Sequence, residues 1–138
     1  QHQMEDLVEG FIKQTGAEYY KEMYITDIEK KWGVDLSAIS AEGTSTKRWD
    51  FVVKTDKTIY VIETNFYGGG GSKLNETARS YKMIAEEARD VIGVEFVWVT
   101  DGGGWRSARR NLEETFNTMQ HLYNIDDMEN GVFLSLFS

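Results

Sequence analysis

The clearest pattern of apolar and polar positions in the chain is a stripe with helical spacing over residues 73–90. Polar and charged residues occupy the opposite side of this segment, so it is predicted to be an amphipathic helix. Its apolar face consists of Leu74, Ala78, Tyr81, Ala85 and Ala88. The same spacing predicts a first helix over residues 4–15, which Gly16 closes.

A further helix is predicted over roughly residues 105–123, where apolar side chains again recur every three or four positions. The side chains expected to face inward are Trp105, Ala108, Leu112, Phe116, Met119 and Tyr123.

Extended segments dominate the middle of the chain. Residues 49–55 and 58–67 are apolar on both faces, which is typical of strands in the middle of a sheet. Residues 94–100 form another apolar run that ends at a glycine-rich turn, and this pattern predicts a buried strand. Shorter strands are expected over residues 34–40 and 132–137.

Residues 18–33 fit two structures, because 19–25 suits a strand and Tyr24, Ile28 and Trp32 also fit one helix face. A polar loop is expected over residues 41–47. Together these elements predict a single mixed α/β domain over residues 1–138, with a central sheet and flanking helices.

Two carboxylates interrupt the central strands. If Asp56 and Lys57 form a two-residue hairpin loop, Asp50 lies directly across from Glu63. Opposed side chains share a face with Cβ atoms about 5 Å apart, and Asn65 points the same way. Like charges in this position favour a compensating cation, so the pattern predicts a metal-dependent phosphodiesterase site.

A hard divalent cation such as Mg²⁺ would stabilise Asp50 and Glu63, because an unpaired buried carboxylate costs several kcal/mol. The main-chain carbonyl of Thr64 is the expected third ligand. The alternative is that both carboxylates lie in water at strand ends, or pair with Lys47 and Arg48.

The composition restricts the kind of site. Cysteine is absent and the only histidines are His2 and His121, so thiolate zinc sites and disulfides are excluded and a histidine-based nuclease is not expected. Any metal must then be held by oxygen. His121 is expected to be structural. No apolar run approaches the roughly 20 residues that span a bilayer, and no signal peptide is visible.

The net charge of −8 argues against a nucleic-acid partner, but the distribution of charge argues for one. Residues 47–110 contain 11 basic and 9 acidic groups. By contrast, residues 1–46 contain 4 basic and 9 acidic groups, and residues 111–138 contain no basic and 5 acidic groups. The segment with the carboxylate hairpin is therefore the net-positive one. This pattern predicts phosphate contact near the site, with a random scatter of surface charge as the alternative.

The glycine tract 68–71, followed by Ser72 and Lys73, superficially suggests a phosphate loop. It lacks the G-x-x-x-x-G-K-[ST] spacing, so a nucleotide cofactor is not expected. We interpret the tract as a loop that approaches DNA closely, with Ser72 capping the next helix. A merely permissive turn is the alternative.

Arg106, Arg109 and Arg110 are predicted to crowd the first turns of a helix, where the macrodipole disfavours cations. A nearby phosphate would explain this placement. Offset by Glu113 and Glu114 is the alternative explanation.

The spacing Asp-x12-Glu-x-Asn resembles the site of PD-(D/E)XK nucleases, where two acidic residues bind metal and a lysine orients or activates water. Asn65 stands at the lysine position, and an amide cannot deprotonate water at neutral pH. Lys73 is the candidate for the lysine's role, and a solvated lysine at a helix start is the alternative.

Five strings together resemble the DpnII/MboI family of type II restriction endonucleases. They are ETNFYGGGGSKLNE at 63–76, KEMY at 21–24, DIEKKWG at 27–33, WRSAR at 105–109 and NLEET at 111–115. The resemblance covers nearly the whole chain. It implies a restriction-endonuclease-like (PD-(D/E)XK) core in which Asp50 and Glu63 hold the metal and Asn65 occupies the third motif position.

The resemblance further implies a dimeric, Mg²⁺-dependent enzyme of the prokaryotic cytoplasm. Such an enzyme cuts unmodified double-stranded DNA at GATC, before the G, and leaves 5′ overhangs. Members of the family are longer, and this chain begins with Gln1, so we expect a fragment of a longer enzyme.

These observations assign roles as follows. Asp50 and Glu63 hold the metal, and Asn65 and Lys73 orient water or the scissile phosphate for in-line attack. DNA contacts are expected from Lys47, Arg48, Ser72, Arg79, Arg106 and Arg109. Base reading is expected from the loop at 41–48 or the loop at 101–105. Two other functions stay open: a catalytically silent DNA-binding or dimerisation module, and a structure-selective nuclease.

Overall fold

The structure, a computed structural model, describes residues 2–39, 47–69 and 71–138, without the side chains of His2, Arg109, Asn111 and Leu112. Its helices are α1 (His2–Thr15), α2 (Ile25–Trp32), α3 (Ser72–Ala88), α4 (Arg109–Thr118), α5 (Ile125–Glu129) and α6 (Val132–Leu136). Its strands are β1 (Glu18–Tyr24), β2 (Arg48–Lys54), β3 (Ile59–Phe66), β4 (Val94–Asp101) and β5 (Leu122–Tyr123). A short 3₁₀ helix, Gly103–Arg106, follows β4. Within these residues, every helix is too short or too polar to cross a bilayer.

The five strands form one sheet in the order β1-β2-β3-β4-β5. β1, β2 and β3 pair antiparallel, whereas β3, β4 and β5 pair parallel. A parallel connection needs a crossover, and α3 supplies it between β3 and β4. The sheet is therefore mixed, as the sequence predicts.

Helices cover both faces of the sheet and form a separate hydrophobic core on each. The first core packs α2 and α3 against the sheet and contains Ile28, Leu74 and Trp98. The second core packs α1, α5 and α6 against the opposite face and contains Val8 and Phe133. Burial on both faces explains why the central strands are apolar throughout. The expected α/β fold with flanking helices is confirmed, and the PD-(D/E)XK assignment stays a prediction.

The predicted helices over 4–15 and 73–90 are confirmed by α1 and α3. The predicted cap is wrong, because Ser72 is the first helical residue and the cap position belongs to Gly71. Gly71 has a φ of 141°, in a region that L-residues rarely adopt, and it has no side chain with which to cap the helix.

Two short strands were predicted wrongly. Residues 34–39 form a turn and irregular chain, from which Leu36 and Ile39 pack into the first core, and residue 40 lies outside the described residues. Residues 132–136 form α6, and both Phe133 within it and Phe137 just after it are buried. A short apolar run fits a strand and a buried helix equally well, so the pattern alone does not separate them.

The ambiguous segment 18–33 contains both structures, since β1 passes directly into α2 at Ile25. The single helix predicted over 105–123 is wrong. The chain forms the 3₁₀ helix and then α4, and Tyr123 belongs to β5, which pairs with β4. Phe116, expected inside, is 64% exposed.

Candidate active site

The hairpin between β2 and β3 has the predicted loop. Thr55 N–H donates to the Thr58 carbonyl at 2.9 Å, which leaves Asp56 and Lys57 as the two loop residues. The pairs from Lys54–Ile59 to Phe51–Ile62 have the predicted register. The paired ladder ends there, one pair before Asp50 and Glu63.

Beyond the ladder, carboxylate oxygens take the place of carbonyl acceptors. The N–H of Asp50 donates to Glu63 Oε2 at 3.2 Å. In the other direction, the N–H and the hydroxyl of Thr64 donate to Asp50 Oδ2 at 2.9 and 3.2 Å. Each carboxylate therefore bonds to the opposite strand, and both lie in the same gap between β2 and β3.

The strand β2 changes faces at Asp50. Trp49 packs into the first core and Phe51 into the second, although residues two apart in a regular strand share a face. Opposite this point, Glu22 of β1 has a φ of 56°, which is uncommon for a residue other than glycine. The regular pairs Lys21–Phe51 and Met23–Trp49 flank the distortion. With this distortion, the Asp50 carboxylate faces neither core and accepts hydrogen bonds from Thr64 of β3.

Glu63 is the buried carboxylate of the site, with 4% of its surface exposed. Its Oε1 forms an ion pair with Lys47 Nζ and accepts a hydrogen bond from the Tyr81 hydroxyl at 3.4 Å. Burial, and then the charge of Asp50, raise the pKa of Glu63 to about 7, although Lys47 opposes the increase. The Glu63 carboxyl is therefore more easily protonated than an exposed glutamate.

Lys47 immediately precedes β2 and reaches into the site. Its ammonium lies 4.9 Å from the centre of the Trp49 ring and 5.8 Å from that of the Tyr81 ring. Its carbonyl accepts the Ile25 N–H at 3.0 Å, which fixes the main chain while the side chain extends to Glu63. The sequence left open the alternative that Lys47 pairs with one of the two carboxylates, and the structure shows this pairing with Glu63.

Asn65 is held from the neighbouring strand. The indole N–H of Trp98 on β4 donates to Asn65 Oδ1 at 2.6 Å. Tyr81 packs edge-on against Trp98, with ring centres 4.9 Å apart. Burial, and then the charge of Glu63, raise the pKa of Tyr81, so its hydroxyl stays protonated and can donate. The sequence suggested Tyr81 only as a core residue, because its contact with Glu63 is between distant segments.

The other predicted site residues lie around this centre. Ser72, Lys73 and Arg79 are exposed on α3, and Lys73 forms no ion pair with Asp50 or Glu63. Arg48 is exposed and pairs with Glu22 at 3.8 Å. The start of β2, the ends of β3 and β4 and the start of α3 share one edge of the sheet.

The predicted arginine cluster is divided between two elements. Arg106 is exposed in the last turn of the 3₁₀ helix, not in the first turn of a long helix as predicted. Arg109 and Arg110 begin α4, where the prediction places them, although the Arg109 side chain lies outside the described residues. The base-reading loop predicted at 41–48 also lies outside the described residues over 41–46.

The glycine-rich loops after β3 and β4 contact each other through their main chains. Tyr67 N–H donates to the Asp101 carbonyl at 2.9 Å, and Gly104 N–H donates to the Tyr67 carbonyl at 2.8 Å. A Cβ at Gly104 would lie 2.3 Å from the Gly69 carbonyl oxygen, whereas a Cβ at Gly68 or Gly69 meets nothing within 4 Å. Close approach of the two main chains thus requires glycine at Gly104 in the second loop, whereas in the first loop Gly71 is required by its φ of 141°.

His121 lies in a separate cluster near β5. It is buried, and its ring nitrogens lie 2.5 Å from Glu95 Oε1 and 2.8 Å from the Tyr123 hydroxyl. The sequence did not suggest a carboxylate partner for it, because Glu95 is 26 positions away.

A cavity of about 670 Å³ opens at the carboxyl ends of β4 and β5, and it does not include Asp50 or Glu63. Its lining contains the carboxylates Asp101, Glu113 and Asp127, which would repel a phosphate. We therefore place the candidate site at the paired carboxylates and not in this cavity.

The donor set of the candidate site fits Mg²⁺. Among the described residues, no group of three or more histidine, aspartate or glutamate side chains surrounds a common point. Mg²⁺ is commonly bound through one or two carboxylates and keeps several waters, so a pair such as Asp50 and Glu63 is compatible with it. A structural zinc site would need four protein ligands, usually nitrogen or sulfur.

Comparisons with known proteins agree on one family. The family model described as DpnII restriction endonuclease matches residues 1–134. The type II restriction enzyme DpnII of Streptococcus pneumoniae is 49% identical over 96% of this chain and 48% of its own length. MboI of Moraxella bovis is 46% identical over 63% of this chain and 31% of its own. MjaIII of Methanocaldococcus jannaschii is 32% identical over 98% of this chain and 48% of its own.

The chain thus spans about half the length of DpnII and MjaIII. No solved structure gives a significant match. Since the family model covers almost every residue, the chain belongs to the DpnII restriction endonuclease family.

Proposed function

We propose that this chain carries the hydrolytic site of a type II restriction endonuclease that cuts double-stranded DNA at GATC, before the G, with Mg²⁺. Membership of the family supports the reaction class. The observation that carries the proposal is the pair of carboxylates, Asp50 and Glu63, each bonded to the opposite strand where the ladder ends. Two acidic side chains in one gap call for a cation there.

In this proposal Asp50 and Glu63 bind Mg²⁺, with the Thr64 carbonyl as a further ligand. When bound, Mg²⁺ would neutralise charge on the scissile phosphate and the leaving oxygen. Asn65 would orient water or phosphate through its amide N–H groups, because its oxygen is occupied by Trp98. Lys73 stays a candidate for contact with the phosphate from the first turn of α3.

The DNA would approach the sheet edge that contains the site. Phosphate contacts are proposed for the cations and the hydroxyl around it: Arg48, Ser72, Arg79, Arg106 and Arg109. We propose that bases are read by the loops at 41–48 and 101–105, and that the enzyme acts as a homodimer, which matches the two-fold symmetry of GATC.

Digestion of a plasmid with mapped ends tests this function. We expect cuts before the G of GATC with Mg²⁺ and none with EDTA. Glu63→Ala should abolish cutting, whereas Glu76→Ala, at an exposed position of α3, should cut normally. Ends at other sequences would contradict the specificity, and cutting by Glu63→Ala would contradict the site.

A second candidate is a DNA-binding module without activity. It is favoured by Asn65 at the lysine position and by the ion pair that already occupies Glu63. DNA binding by both the wild-type chain and Glu63→Ala, with cutting by neither, would support this alternative.

A further inference from the structure

We propose that Lys47 is an exchangeable counter-ion: it neutralises Glu63 while no divalent cation is bound, and it transfers to a DNA phosphate when a divalent cation takes Glu63. This inference rests on the proposed function. It concerns how the same site changes when it is loaded.

The unloaded state is the one that the structure shows. Glu63 is almost fully buried, and an isolated buried carboxylate is costly. Among the residues that the structure describes, the Lys47 ammonium is the cation paired with it. The hydroxyl of Tyr81 donates to the same oxygen, Oε1, so the ammonium and the hydroxyl converge on one atom of the carboxylate.

A divalent cation and this ammonium cannot share the carboxylate without repulsion. Two cations about 4 Å apart repel strongly in a partly buried site, where the effective dielectric constant is far below that of water. Binding of a divalent cation to Glu63 would therefore release Lys47. The ring contacts with Trp49 and Tyr81 are worth only about 0.5–2 kcal/mol, so they do not retain it.

The released ammonium is positioned to meet DNA. The main chain of Lys47 is fixed by the bond from Ile25, but its side chain is 19% exposed and has a flexible four-carbon stem. It projects from the start of β2, at the sheet edge where the carboxylates lie. A phosphate is the anion that a nuclease substrate brings to this edge, and a lysine binds phosphate as a point charge.

Arg48 offers a matched contrast. It is the next residue along the chain, and its partner is Glu22 in a pair of which both side chains are more than half exposed. An exposed pair of this kind is worth only about 0–1 kcal/mol, so Arg48 is available to DNA whether or not a metal is bound. Lys47 should differ from its neighbour in depending on the metal.

The test measures binding of a fluorescent GATC duplex in Ca²⁺ and in EDTA at equal ionic strength, with Lys47→Met, Arg48→Met and Lys57→Met. Lys47→Met should weaken binding about tenfold in Ca²⁺, as expected for one lost phosphate contact, and change it less than about twofold in EDTA. Arg48→Met should weaken binding in both. Lys57→Met, in the hairpin loop at the far end of the strands, should change neither.

The inference would be overturned if Lys47→Met weakened DNA binding equally in Ca²⁺ and in EDTA, or if it weakened binding in neither solution. Lys47→Arg keeps the charge and should bind nearly as the wild type does, which separates lost charge from damaged folding. A wild-type chain that binds DNA equally in Ca²⁺ and EDTA would also overturn it. The proposed function is judged separately, by Mg²⁺-dependent cutting and its loss in Glu63→Ala.

Discussion

Asp50 and Glu63 are joined reciprocally across the gap between β2 and β3. The main-chain N–H of Asp50 donates to the Glu63 carboxylate, and the Asp50 carboxylate accepts the N–H of Thr64, the residue after Glu63. The two acidic side chains therefore hold the strands together as well as forming the candidate metal site. Substitutions that keep the hydrogen bonds can separate these two roles.

Asp50→Asn should remove the charge and keep an acceptor for Thr64. We expect unfolding free energy within about 1 kcal/mol of wild type and cutting reduced by at least 100-fold. Asp50→Ala should also lose cutting, and should cost about 1–3 kcal/mol because Thr64 loses its acceptor. Urea unfolding and plasmid digestion measure the two effects. Efficient cutting by Asp50→Asn would show that its charge is not needed.

The raised pKa of Glu63 predicts how stability depends on pH. Because the pKa is about 7 in the folded chain against a reference of 4.5, the folded state binds the proton more tightly. The free energy of unfolding should therefore fall as pH rises from 4.5 to 7, by on the order of 1–3 kcal/mol from this group.

Glu63→Gln should flatten that dependence, measured by urea unfolding in EDTA at several pH values. Glu76→Gln, an exposed matched change, should leave the dependence as it is in the wild type. An identical slope in Glu63→Gln and wild type would mean that Glu63 does not titrate in this range.

Gly104→Ala should be severely destabilising. Its Cβ would lie 2.3 Å from the Gly69 carbonyl oxygen and 2.9 Å from that of Tyr67, so the two loops would have to separate. We expect a loss of more than about 3 kcal/mol, or failure to fold. Gly68→Ala, where nothing lies within 4 Å, should change stability by less than about 0.5 kcal/mol. Thermal unfolding of the two variants measures the difference, and equal stability of Gly104→Ala and Gly68→Ala would contradict the prediction.

Asn65→Lys, which restores the motif lysine, should not improve the protein. Trp98 would lose the acceptor for its indole N–H, and an ammonium would be added two positions from Glu63, which already pairs with Lys47. We expect a loss of about 1–3 kcal/mol in unfolding free energy and no gain in cutting rate. Asn117→Lys, an exposed change on α4, serves as the control. A faster, stable Asn65→Lys enzyme would contradict this reading of Asn65.

The sequence predicts best where local chemistry decides the structure. The loop of Asp56 and Lys57 fixes the register of the hairpin, and the amphipathic stripe of α3 fixes which side of that helix is buried. The apolar run at 132–137 was misjudged because its length suits either a strand or a helix, and packing of Phe133 into the second core decides for α6.

The site was only partly predictable. The spacing predicts that Asp50 and Glu63 lie across from each other, and hydrogen bonds join them to opposite strands although the ladder ends one pair earlier. The reversal of faces between Trp49 and Phe51 lies opposite the positive φ of Glu22 on another strand, and no local pattern indicates it. The pairing of Lys47 with Glu63 joins residues 16 positions apart, and no local pattern indicates it. Side chains that meet only through tertiary packing leave little trace in the periodicity of the chain.

The hydrogen bonds between the loops after β3 and β4 join main-chain atoms, with Tyr67 bonded to both Asp101 and Gly104. Their strength therefore does not depend on which side chains the outer positions have. Gly68 and Gly69 face open space, so new side chains can be grafted there without disturbing the support beneath them. For protein engineering, this makes the rim beside the carboxylates a place to vary DNA contacts on an unchanged scaffold.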